Sequence, residues 1–348
     1  MLIPMVHVPA LVRMKPGALD RIGIYLHRAD LKKVVVLHSH GLIESLQKRM
    51  NESLKSASIQ TLLIDEVNDA SFESAVASLS KLPADAQAIV GYGGGKALDV
   101  AKYVAFLANV PFLAVPTSLS NDGFCSPQSS LTLNGRRKSM KSRLPHGVIV
   151  DTQVCLEAPR DLWLSGVGDL VAKITAVKDW KLAFHKHGEP VNDLAALLSD
   201  STVRQFMACP RHDPEGARLL GTALMLNGIA MEICGSSRPA SGSEHNISHS
   251  LDHFAERPRL HGLQVGVATY LVSQLQHHEH ETIGRLLDET GFFDAIRRDP
   301  FLRSDWQKAL EAAPKLRPER YTILSEPGSA ERLLQMIDED PRVQGCFV

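Results

Sequence analysis

The sequence predicts an α/β domain followed by an all-helical one, and three observations carry that reading. Short apolar, often β-branched runs alternate with helical patterns as far as residue 150. A glycine-rich segment separates one such run from the next helix. After Pro159 strand-like runs nearly vanish, and apolar stripes of period about 3.6 take over. The chain has 348 residues, room for two domains of ordinary size. The formal net charge of −1 leaves no basic excess, so neither a nucleic-acid partner nor an anionic membrane surface is expected.

Lys33-Val34-Val35-Val36-Leu37 reads as a buried strand, and Leu42, Ile43, Leu46, Met50 and Leu54 mark a helix over 42–57. Residues 61–64 form a second strand and 71–81 a second helix. Residues 88–91 form a third strand, followed by a helix to about Leu107, and residues 112–115 a fourth. Continuous apolar strands that alternate with helices imply a parallel sheet covered on both faces. Asn134-Gly135, after an alternating run, predicts a hairpin, and 148–151 returns to the sheet. Helices are then expected over 161–186, 191–208, 213–235, 243–255, 262–277 and 328–338, while 297–327 has no clear period. The expected domains are 1–157 and 158–348.

Gly91-Tyr92-Gly93-Gly94-Gly95-Lys96-Ala97-Leu98-Asp99 leaves a strand and opens a helix. Adjacent glycines let backbone N–H groups approach an anion, and the helix N-terminus adds about half a positive charge. The spacing is neither the usual Gly-x-Gly-x-x-Gly nor a P-loop. A second polar loop, Thr117-Ser118-Leu119-Ser120-Asn121-Asp122-Gly123, leaves the fourth strand at its carboxyl end, where open α/β sheets bind ligands.

In the second half, His245 and His249 lie four apart, one helical turn on one face, and His261 follows a Pro-containing turn. A close pair plus a neighbouring His can build a divalent-cation site with an open position. Asn246 follows the first His, so the His-Glu-x-x-His of a metalloprotease is absent. By spacing alone the three histidines are equivalent. A carboxylate such as Asp169, preceded by Gly166-Val167-Gly168, is a candidate to join them.

The segments GYGGGKALDVAK (91–102), PTSLSNDGFCSP (116–127), GVGDL (166–170), TAVKDWKLA (175–183), SGSEHNISHSLD (241–252) and LHGLQVGV (260–267) resemble the dehydroquinate synthase-like superfamily with its group III metal-dependent alcohol dehydrogenases. Within it the chain resembles the sn-glycerol-1-phosphate dehydrogenase family over nearly its whole length. The resemblance implies a Rossmann-like nucleotide-binding domain and a helical metal-binding domain, the dehydroquinate synthase-like fold. It also implies Asp169, His245 and His261 as ligands of Zn²⁺, or of Ni²⁺ or Fe²⁺ as in some relatives. His249 then supports the ligands from behind or relays a proton beside the substrate, and is not itself a ligand. Asp122 falls beside substrate and nicotinamide, Gly93, Gly94 and Gly95 on the pyrophosphate, Lys96 and Asp99 among the cofactor-binding residues, and Thr117, Ser118 and Ser120 on the nicotinamide side. The implied reaction is reduction of dihydroxyacetone phosphate to sn-glycerol 1-phosphate with NADH or NADPH. The alternatives are a related polyol or sugar-phosphate dehydrogenase and a dehydroquinate synthase-like lyase. Two departures from archaeal members are His38-Ser39-His40 after the first strand and Lys173 near the ligand carboxylate.

A phosphorylated substrate needs cations. Arg136 to Arg143 supplies five, of which Lys138, Lys141 and Arg143 lie nearest the return to the sheet, and Lys141 is the expected substrate contact. Five scattered cysteines suggest a reduced cytoplasmic setting. No apolar run approaches the ~18 residues that span a bilayer, so no membrane insertion is expected. A homo-oligomer is expected.

Overall fold

The computed structural model describes residues 6–348. Its strands are β1 (Leu11–Met14), β2 (Lys33–Ser39), β3 (Gln60–Val67), β4 (Ala88–Gly93), β5 (Phe112–Pro116), β6 (Gln128–Leu133), β7 (Arg136–Lys141) and β8 (Gly147–Val150). Six of them make one sheet in the order β1-β8-β5-β4-β2-β3, and every pairing in it is parallel. The helices among these strands are α1 (Ile22–Arg28), α2 (Glu44–Ser56), α3 (Phe72–Ser80) and α4 (Gly95–Ala108), with α5 (Thr152–Glu157) following β8. From β2 the chain runs outward through α2 to β3. From β4 it runs the other way through α4 to β5. The two turns therefore diverge between β2 and β4, which is the switch point where doubly wound sheets open a ligand crevice.

The remaining helices are α6 (Arg160–His187), α7 (Asp193–Met207), α8 (Pro214–Cys234), α9 (Ser243–Phe254), α10 (His261–Leu275), α11 (His280–Glu289), α12 (Phe292–Arg298), α13 (Arg303–Leu316) and α14 (Ser329–Glu339). The chain forms two compact units, Met1–Ala158 with Asp213–Glu232, and Pro159–His212 with Ile233–Val348. The expectation of a continuous second domain over 158–348 therefore differs at α8, most of which joins the first unit. Glycines explain why. A Cβ on Gly228 would stand 1.6 Å from the Cys125 carbonyl oxygen, and one on Gly221 would touch Leu119 and Met14. Helix α8 is also long and apolar enough by composition to cross a bilayer, contrary to the expectation that no such run exists. Its apolar side chains, among them Leu220, Ala223, Leu224 and Ala230, are buried, as in a core helix.

The hairpin formed as expected. Asn134 and Gly135 both have positive φ (52° and 71°), the conformation that a two-residue turn matching strand twist requires. β1 was not legible, because four half-buried residues are too few to show a period. Helices α11 to α13 were also missed. Glycine, arginine and proline punctuate them, and Pro314 lies inside the last turn of α13.

In the second unit α6 and α10 pack almost backbone to backbone. A Cβ on Gly168 would lie 2.0 Å from the Gly262 carbonyl oxygen, and one on Gly262 would lie 1.8 Å from that of Ser165. Gly168→Ala must push these helices apart. It should destabilise the protein by roughly 2–3 kcal/mol, seen as a lower denaturant midpoint. An unchanged midpoint would contradict the close approach.

Candidate active site

In the first unit the glycine turn sits at the carboxyl end of β4, on the divergence from β2. Gly93 has φ +127°, and a Cβ there would lie 2.2 Å from the Ser39 hydroxyl. That hydroxyl accepts a hydrogen bond from the Gly94 N–H at 2.9 Å, so the end of β2 fixes the turn. Gly94 is the N-cap of α4, and open space surrounds the position a Cβ would take on Gly95. The Thr117 N–H donates to the Gly93 carbonyl at 3.0 Å, which brings the second loop alongside the first. These features fit the pyrophosphate of a dinucleotide: free approach at Gly95, a helix N-terminus, and polar groups of 117–120 next to it.

Lys96 is exposed at the start of α4. Asp99 was expected beside the cofactor, but it is buried and pairs with Lys102 at 3.2 Å. Burial pushes its carboxyl up against the pull of Lys102. Lys102, which the sequence reading did not single out, is 1% exposed and donates to the Gly123 carbonyl at 2.7 Å. It pins the loop that carries Asp122, and the Asn121 side chain accepts from the Gly123 N–H within the same loop. The available signal was the i, i+3 spacing of Asp99 and Lys102, which puts opposite charges on one face of α4. Ser118, Ser120 and Asp122 are partly buried. Lys141 is exposed at the end of β7, opposite Gln128.

In the second unit Asp169 (α6), His245 (α9) and His261 (first residue of α10) converge. One donor atom from each lies within 4.8 Å of the others. Asp169 is buried, and its Oδ1 stands 3.3 Å from both His245 Nε2 and Lys173 Nζ. Burial alone would raise the Asp169 carboxyl. The charges of Lys173, His245 and His261 outweigh it and hold the group well below the usual carboxylate range. Glu244 is buried too. Burial opposes its ionisation, but His245 and the Gly242 N–H keep its carboxyl below its ordinary value.

An ionised carboxylate only accepts. The 2.8 Å contact between Glu244 Oε1 and His245 Nδ1 therefore puts a proton on Nδ1 and turns Nε2 toward Asp169. Thr175 on α6 donates to the other Glu244 oxygen at 2.9 Å. On His261, Nδ1 meets the Ser248 hydroxyl at 3.0 Å, and the Gln264 amide donates to that same hydroxyl. A carboxylate with two imidazoles, each held through its remote nitrogen, fits a divalent cation with a position left for substrate. Burial lowers the His245 imidazole's proton affinity, but Asp169 and Glu244 more than offset this and raise it above the ordinary value.

His249, one turn after His245, is not part of the convergent donor set. Its ring stacks on His261 with centroids 5.8 Å apart. The structure thus makes the three histidines unequal. Glu244, Ser248 and Lys173 were not assigned roles from the sequence, although Glu244 directly precedes the first histidine.

A sheet with its glycine turn at the switch point, followed by a helical bundle holding a carboxylate–imidazole triad, defines a metal-dependent alcohol dehydrogenase fold. The profile described as iron-containing alcohol dehydrogenase matches residues 13–159. The solved glycerol dehydrogenase from Schizosaccharomyces pombe superposes with a TM-score of 0.76 at 18% identity, covering 99% of this chain and 91% of that one. The sulfoacetaldehyde reductase from Bifidobacterium kashiwanohense, solved in complex with NAD+, gives 0.69 at 15% identity, covering 97% and 98%. The glycerol-1-phosphate dehydrogenase of Metallosphaera sedula, designated NAD(P)+, is 35% identical over 94% of this chain and 96% of its own length. That of Thermococcus sibiricus is 35% identical over 94% and 95%. The chain belongs to the glycerol-1-phosphate dehydrogenase family and is an oxidoreductase.

Glu244→Gln should weaken divalent-metal affinity about 10- to 100-fold, as outer partners of ligating histidines do, measured by competition with a chelator. Metal affinity should also fall with decreasing pH. Proton and cation compete for His245 Nε2, and because that imidazole's pKa is raised, the decline begins above the ordinary histidine value. Binding that is flat between pH 8 and 6 would contradict the arrangement.

Proposed function

We propose that the protein is an NAD(P)H-dependent, metal-dependent enzyme that reversibly reduces dihydroxyacetone phosphate to sn-glycerol 1-phosphate. The observation that carries this is the convergence of Asp169, His245 and His261, in a chain whose relatives bear that enzyme's name over nearly their whole length. These three residues would hold the cation, and zinc suits a donor set of two imidazole nitrogens and one carboxylate oxygen. When bound, it supplies Lewis acidity to the substrate carbonyl as hydride arrives.

The chain's own residues do the rest. Gly93, Gly94 and Gly95 admit the cofactor's pyrophosphate to the N-terminus of α4, and Thr117, Ser118 and Ser120 line the nicotinamide side. Lys102 keeps the 121–125 loop in place so that Asp122 can orient the reacting groups. Glu244 and Ser248 hold the ligand imidazoles. His249 delivers the proton that the new hydroxyl needs, an imidazole being able to exchange it near neutral pH.

Purified, zinc-loaded protein should oxidise NADH or NADPH when given dihydroxyacetone phosphate, and EDTA should stop it. The product should be the 1-phosphate enantiomer, which an enantiospecific glycerol-3-phosphate assay leaves untouched. Formation of the 3-phosphate would overturn the reading. His249→Ala should lower kcat about 10²- to 10⁴-fold while metal stays bound. An undiminished kcat would remove His249 from the proton path.

A further inference from the structure

Beside the segment that leads into α9 lies a group of three arginines, Arg238, Arg317 and Arg320, of which only Arg238 has a carboxylate in ion-pair contact among the described residues. Arg238 is almost fully buried and is answered by Glu189, which takes both its Nε (2.7 Å) and its Nη2, while Nη1 donates to the Tyr321 carbonyl. Arg320 has no such answer. Its guanidinium donates only to neutral oxygens: Ser237 Oγ at 2.9 Å, and the Ser241 carbonyl and hydroxyl at 3.2 and 3.3 Å. Arg317 sits on the same turn, its carbonyl accepting the Arg320 N–H at 2.9 Å. Glu319 acts on Arg317 electrostatically, and Arg317 has no carboxylate in ion-pair contact among the described residues. Burial, then the charges of Arg317 and Arg238, pull the Arg320 guanidinium down to about 10, against the weaker pull of Glu189 and Glu244. Half-buried cations that crowd one another are relieved when an anion joins them.

The place is open to a ligand and close to the triad. Ser237, Arg317 and Arg320 are partly exposed, whereas Ser241 and Lys173 are buried. Lys173 Nζ bridges Asp169 and the Ala240 carbonyl at 3.3 and 3.2 Å. The Ala240–Ser241 backbone is thus held at one residue by the lysine that touches Asp169, and at the next by Arg320. A guanidinium presents paired donors that match phosphate oxygens, and serine hydroxyls supply further ones. Lys141, by contrast, offers a single exposed ammonium at the end of β7.

We propose that Arg320, held by Ser237 and Ser241 and backed by Arg317, is the seat of the substrate's phosphoryl group, a phosphate monoester dianion. This rests on the substrate reading above. It makes Arg320 the residue that separates a phosphorylated three-carbon ketone from its unphosphorylated counterpart.

Two measurements on the metal-loaded full-length protein test it. Inorganic phosphate is titrated calorimetrically, and kcat/KM is compared for dihydroxyacetone phosphate and dihydroxyacetone. Arg320→Gln should abolish saturable phosphate binding and lower kcat/KM for the phosphorylated ketone about 100-fold, as loss of one partner of a buried charged pair does, with less than about threefold change for the other ketone. Arg320→Lys should recover part of the loss. If Arg320→Gln melts early, Ser237→Ala, which removes one of the groups steadying the guanidinium, should shift the same ratio in the same direction by a smaller factor. No phosphate binding by the unaltered protein, equal binding by Arg320→Gln, or equal losses on both ketones would overturn the proposal. Turnover of dihydroxyacetone phosphate without dependence on Arg320 sinks the proposal and leaves the substrate reading intact. Arg320-dependent phosphate binding without turnover does the reverse.

Discussion

In the second unit three helices meet at a buried carboxylate, Asp169. Asp169 lies mid-helix in α6, shielded from water, where an uncompensated carboxylate would cost several kcal/mol. Lys173 answers it from the same helix, one turn on, and His245 and His261 answer it from α9 and α10. That compensation works only if three helices bring their side chains within a few ångströms. The glycines of α6 and α10 make the approach possible, because no residue with a Cβ fits at 168 or 262 without displacement. Two of the groups that offset the burial of Asp169, His245 and His261, are also the ones that bring donor atoms within 4.8 Å of it.

A second layer of polar groups decides which atoms face inward. Glu244 and Ser248 each take the Nδ1 of a neighbouring imidazole, and Thr175 and Gln264 hold those holders. Each imidazole is thereby locked at its far side. Such layering orients an imidazole without adding another donor, and His249, stacked on His261, stands outside the convergent set.

In the first unit the determining constraint is backbone space. Gly93 takes a φ that side chains rarely adopt and lies against Ser39, so the end of β2 and the turn after β4 form one piece at the divergence of the sheet. Asp99 and Lys102 both lie in the run that continues the glycine turn, yet both are buried and paired with each other, and Lys102 holds the Asp122 loop. A helix carries its polar residues around its circumference, so position in a motif says little about which side they take.

The sequence by itself determined the alternation of strands and helices, the Asn134-Gly135 hairpin, the glycine turn, and the likeness that singled out Asp169, His245 and His261. Each is legible because it depends on local period, on turn chemistry or on a run of residue types. The return of α8 to the first unit, the burial of Asp99 and Lys102, and the helices between His280 and Leu316 were decided only in three dimensions. So were the roles of Glu244, Ser248 and Lys173. These depend on which faces meet across long sequence separations. A lysine four residues after an aspartate reads as an ordinary helical cation until its ammonium is found buried beside the carboxylate it neutralises.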